Sequence, residues 1–168
     1  MRSKTIFKML LAICTFCLLL VHSGKSFAQE YEALKGVQNV KTIFDFRFSK
    51  PGDALTHLQL IYDTYQDQAI RQIAPEPDFV VIFMAGSVLL LTDDREGYSA
   101  ADKKRLQTMD ELLFTMDQAG IKLEVCLFAT KTFGIDPQSF PTEIEPVDNG
   151  WIASIGYQAK GYNLIPAF

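Results

Sequence analysis

Cys126 is the residue whose type and setting best suit covalent chemistry. It lies in an apolar run, Ile121–Phe128 (IKLEVCLF), that leads into a short segment of helical character. A thiol at a helix N-terminus sits at the positive end of the helix dipole. That position favours the thiolate, which is the attacking form. Lys131, five residues on, is a candidate for further positive charge nearby. The competing reading is a small buried hydrophobe, because unpaired cysteine is among the most buried residue types.

Other candidates offer less. His57 is the only histidine after residue 28, and a Cys–His nucleophilic pair needs hydrogen-bond reach that nothing in the spacing supplies. One Cys and one His fall short of the four N or S ligands of a structural zinc site, so no metal is expected. Asp93-Asp94 could attract a cation but reads first as a solvated loop. Ala85-Gly86-Ser87 lacks the lysine and second glycine of a phosphate loop. Trp151, Tyr157 and Tyr162 read as core or subunit interface rather than a ligand cage. No cofactor is called for.

The first 28 of the 168 residues form a unit of their own. Arg2, Lys4 and Lys8 precede a 13-residue uncharged apolar run, Met9–Val21, and Ser26-Phe27-Ala28 places small residues at −3 and −1 of a cleavage point. This is the pattern of a secretory signal peptide, and the run is too short to span a bilayer. Cys14 and Cys17 form a CxxC inside it and read as hydrophobic filler. Cleavage before Gln29 leaves twelve basic against twenty acidic residues, a formal charge of −8. Such a surface repels nucleic acid and anionic lipid. The expected product is exported, periplasmic and free of the membrane. It keeps one thiol, Cys126, which has no intrachain partner for a disulfide.

The remaining chain supplies the elements that must position that thiol. After a flexible leader over 29–38, Asn39–Phe48 alternates as a strand with one apolar face. Pro51-Gly52 breaks it, and an amphipathic helix capped by Asp53 follows over Asp53–Ala74, stopped by Pro75 and Pro77. Asp78 to about Met84 is a continuous apolar run of the doubly covered, parallel kind. A helix opens at Ser99, buries Leu106, Met109, Leu113 and Met116, and closes at Gly120. Ile121–Phe128 is the third strand, with helical turns at Ala129–Phe133 and after Asp136-Pro137. Glu143–Val147 is a short strand whose Pro146 suits an edge or a strand end. Trp151–Lys160 is the last helix and Tyr162–Ile165 the last strand. This alternation predicts a single α/β domain over 39–168, with a mainly parallel sheet of about five strands and helices on both faces.

The run Gly120–Asp136 (GIKLEVCLFATKTFGID) resembles the segment of DsrE/DsrF-like proteins that carries their sulfur-accepting cysteine, and Val147–Tyr162 (VDNGWIASIGYQAKGY) is similar to the closing segment of that family. The resemblance runs from Asn39 to Phe168. It implies a three-layer α/β fold assembled as a homo-oligomer, a trimer or hexamer, or with paralogous subunits. It also implies persulfide relay on Cys126, with thiol or persulfide proteins as donor and acceptor. Two departures are visible: Leu127-Phe128 follow the cysteine where smaller or polar residues are common, and Met84-Ala85 stand where many members have His-Gly. The leading expectation is an exported sulfane-sulfur carrier. The alternative is a non-catalytic oligomeric or small-ligand-binding module with an inert, buried Cys126.

Overall fold

The computed structural model describes residues 31–168; the expected signal peptide lies outside the described residues. Five strands form one sheet, in the order β4-β3-β2-β1-β5 with every pair parallel. They are β1 (Lys41–Phe46), β2 (Asp78–Phe83), β3 (Lys122–Cys126), β4 (Ile144–Val147) and β5 (Asn163–Ala167). β4 carries Pro146 and forms one edge, as a strand short of a donor must. Among the described residues, a 3₁₀ turn, Glu32–Leu34, precedes β1.

The helices are α1 (Pro51–Gln66), α2 (Gln68–Ile73), α3 (Ala100–Gln118), α4 (Leu127–Thr132) and α5 (Gly150–Ala159). α1 starts earlier than expected. Pro51 occupies its first position, where its fixed φ suits the helix, and Asp53 stands in the first turn rather than at the cap. The single helix expected over Asp53–Ala74 is two helices. Asp67 is extended, with ψ 134°, and its carboxylate accepts the Ala69 N–H at 2.7 Å, so the residue caps α2 and ends α1. Ser99 caps α3 by accepting the Asp102 N–H, and Gly120 closes it at φ +94°, a conformation that favours glycine.

The register sorts the strand residues onto two faces. One carries Phe44 and Phe46, Phe79, Val81 and Phe83, Leu123 and Val125. Phe79 meets Phe44 and, on α1, Tyr65 edge-on, and Phe46 meets Phe83, with ring centroids 5.2–5.4 Å apart. The buried stripes of α1 (Ala54, Leu58, Ile61, Tyr65) and α3 (Leu106, Met109, Leu113, Met116) complete this core. The other face carries Ile43, Asp45, Val80, Ile82, Lys122, Glu124 and Cys126, and α5 lies across it. β1 is therefore covered on both sides: Ile43 is as buried as Phe46, whereas its sequence alternation shows one apolar face only. Among the described residues, no helix is long and apolar enough to cross a membrane.

Candidate functional site

β3 ends at Cys126, and α4 starts on the next residue, earlier than its sequence suggests. The early start turns Phe128 outward, so it is 69% exposed, while Cys126 itself is 5% exposed. The carboxyl ends of strands are where open α/β sheets bind ligands. Here the ends of β1, β2 and β3 contribute Arg47, Met84-Ala85 and Cys126 to the wall of one cavity of about 380 Å³, with Phe128, Phe133 and Trp151 also lining it.

The sulfur's hydrogen-bond donor comes from a different helix than the cysteine's own. Gly150 begins α5, and its N–H donates to Cys126 Sγ at 3.2 Å. The Trp151 N–H beside it is taken by the Asn149 side chain at 2.9 Å. A helix N-terminus leaves such amides free, and they hold negative charge well. The residue must be small for the approach to occur: a Cβ at position 150 would stand 2.6 Å from Met84 Sδ and 3.2 Å from Cys126 Cβ.

Positive charge at the cavity comes from Arg47, whereas Lys131 is exposed and absent from the cavity wall. The Arg47 guanidinium grips Asp45 with two parallel bonds of 2.7 and 2.8 Å. That hydrogen bonding raises its pKa above the ordinary arginine value against the cost of partial burial. The charges of Asp45 and Cys126 act in the same direction. Ala85 lines the same cavity at φ +53°, a left-handed conformation that costs a residue with a Cβ roughly 1–2 kcal/mol. Strain of this kind persists only where the surroundings enforce it. Here Met84 N–H is tied to Phe46 O, and Ser87 Oγ donates to the same carbonyl.

Behind the sulfur, on the same face of β3, lies a second polar cluster. Glu124 is 3% exposed. Its Oε1 accepts from Tyr157 OH at 2.5 Å and lies 3.4 Å from Lys122 Nζ, which also reaches Glu145 at 3.1 Å. Burial, and then the bond to Glu124, push the Tyr157 hydroxyl up to about 12. Burial works against the Lys122 charge, but Glu145, Tyr157 and Glu124 outweigh it and raise its pKa.

The remaining sequence candidates fall elsewhere. His57 is not in the cavity wall; its Nδ1 bonds Asp53 O at 2.8 Å and its ring stacks on Phe48, centroids 3.8 Å apart. Asp93 and Asp94 line a separate cavity of about 640 Å³ with Glu96 and Asp136. Trp151 joins the Cys126 cavity, while Tyr157 of α5 and Tyr162 just after that helix pack edge-on against each other. Arg47, Ala85 and Gly150 are the site residues that sequence reasoning missed. The structure shows Asn149 capping α5 through the Trp151 N–H, and β3's place beside that cap brings the Gly150 amide onto sulfur.

The fold recurs in solved structures. A protein of unknown function from Methanobacterium thermoautotrophicum, MTH1491, is 13% identical and matches with a TM-score of 0.60, over 76% of this chain and 99% of its own. The YchN protein of E. coli is 16% identical, with a TM-score of 0.53, over 77% of this chain and 99% of its own. No curated protein matches the sequence. The DsrE/DsrF-like family model matches residues 36–167, from the approach to β1 through the last residue of β5 and including the Cys126 segment. The chain belongs to the DsrE/DsrF-like family, a sulfur-relay-type family.

Proposed function

We propose that the protein accepts and relays sulfane sulfur as a persulfide on Cys126. The observation that carries this reading is the setting of the sulfur: an amide donor from α5 and the Arg47 guanidinium share its cavity. Both stabilise negative charge there, and thiolate is the nucleophile in sulfur exchange. In the loading step, Cys126 loses its proton and its Sγ attacks the terminal sulfur of a donor persulfide. The new S–S bond forms as the donor's own S–S bond breaks, and the donor leaves as a thiolate that takes up a proton. No external oxidant is consumed. Unloading is the same exchange with an acceptor thiol.

The supporting experiment is the mass of purified protein after incubation with a low-molecular-weight persulfide, with and without reductant. One added sulfur, removed by reductant and absent in Cys126→Ser, is the expected result. Arg47→Gln is expected to slow alkylation of Cys126 at neutral pH by several-fold. The second reading, an inert module, is favoured by the 5% exposure of Cys126. A thiol that alkylates only after denaturation, with no added sulfur, establishes it.

Two further parts of the reading concern location and assembly. The tripartite pattern of residues 1–28 supports export to the periplasm and a mature start at Gln29, which N-terminal sequencing of the exported form tests. Trp151, Ile152 and Ile155 on α5 are each about two-thirds exposed, and Phe128 and Phe168 are exposed too. Exposed large apolar side chains in such number support a homo-oligomer, a trimer or hexamer, that covers them. Sedimentation that shows only monomer removes this part of the proposal.

A further inference from the structure

We propose that Glu124 and Ser154 jointly hold one buried water molecule between β3 and α5. Two side-chain atoms, Glu124 Oε2 and Ser154 Oγ, are buried without a hydrogen-bond partner. Their residues belong to facing elements. Gly150 at the start of α5 touches Cys126 Sγ, and Tyr157 further along touches Glu124, so the helix runs back along β3 from the sulfur. Ser154 is four residues beyond Gly150, a rise of about 6 Å in an α-helix. Glu124 is two residues before Cys126, about 6.6 Å along a strand. The two residues that carry the unpartnered oxygens thus stand at about the same level of one seam.

Chemistry then selects the occupant. Glu124 Oε1 is already served by Tyr157 and Lys122, so Oε2 lacks only a donor. Ser154 Oγ makes no bond back to the carbonyl of Gly150, the usual outlet for a serine inside a helix. A water donates to the carboxylate oxygen and also engages the hydroxyl, which meets the two-partner minimum for a buried water. A bare cation is disfavoured by the ammonium group of Lys122 beside the same carboxylate.

The test is a high-resolution crystal structure of the protein, paired with thermal unfolding of Ser154→Ala. The expected result is a density peak about 2.7–3.2 Å from both oxygens, absent or displaced in the variant. Ser154→Ala then lowers the thermal midpoint, because the water loses an anchor. A dry seam overturns the proposal: no peak appears, and Ser154→Ala raises the midpoint by removing a buried hydroxyl that had no partner. Ser154 Oγ bonded to Gly150 O instead, with Glu124 Oε2 unhydrated, overturns it equally. Cys126→Ser in the same crystals is expected to keep the peak, since the site does not depend on the thiol.

Discussion

The two faces of the sheet are built to different specifications. Under α1 and α3, the phenylalanines of β1 and β2 interlock with leucine and methionine, and the strand residues there are apolar apart from Thr42 and its register partner Asn163. Under α5, the same strands present Asp45, Glu124, Lys122 and Cys126 among Ile43, Val80 and Ile82. The first face resembles an organic solid, where each side chain is held by volume. The second is held by directed bonds: Gly150 to sulfur, Tyr157 to Glu124 and Arg47 to Asp45. Both faces bury apolar core, but the directed polar bonds gather on the side that carries the sulfur.

The sharpest way to break that contrast is to remove volume from the apolar face. Phe83→Ala is expected to cost about 3–5 kcal/mol in urea unfolding. The folded fraction should still alkylate at Cys126 at the wild-type rate, because Phe83 points away from the sulfur's side of β2. A slowed rate in folded protein would show that the faces are coupled.

On the polar face, a single bond should matter more than a methylene. Tyr157→Phe leaves buried Glu124 without its hydroxyl donor and is expected to cost about 1.5–3 kcal/mol at pH 7. The effect has a pH signature. Tyr157 is raised to about 12, so its contribution is complete below the ordinary tyrosine value of about 10 and fades as pH climbs toward the folded value. Variant and wild type should therefore converge between roughly pH 10 and 12.

Gly150→Ala probes the junction between α5 and the sulfur. Its Cβ collides with Met84 Sδ, so about 1–3 kcal/mol of overpacking is expected. The Cys126 alkylation rate should shift by more than the stability loss explains, since the amide is pushed off the thiol. The smallest change has the opposite sign. Ala85→Gly relieves a φ of +53° and is expected to stabilise by about 0.5–1 kcal/mol, after the entropy a glycine adds to the unfolded chain. No gain in the urea midpoint would mean that position 85 carries no strain.

Some of this architecture was legible in residue order, for local reasons. Gly120 and the paired prolines Pro75 and Pro77 act through their own backbone, and Ser99 through a side-chain bond only three residues on, so element boundaries near them come close to the observed ones. Where a boundary depends on competition, reading along the chain fails. Asp67 could continue a helix or cap a new one, and only the packed structure shows that it caps. Leu127 and Phe128 look like strand on apolarity alone, yet they open α4.

The chain by itself determined the alternating α/β order, the parallel sheet, and Cys126 as the single thiol after the leader, because periodicity and residue type are one-dimensional properties. It also fixed that this thiol would stand at a strand end, before a helix. What surrounds the sulfur was decided only in three dimensions. Arg47 lies 79 residues before Cys126 and Gly150 lies 24 after it. They meet because β1 and β3 flank β2 in register, and α5 returns across the face that carries Glu124 and Cys126. Charge and amide donors act through space over a few ångströms, and their separation along the chain does not encode that distance.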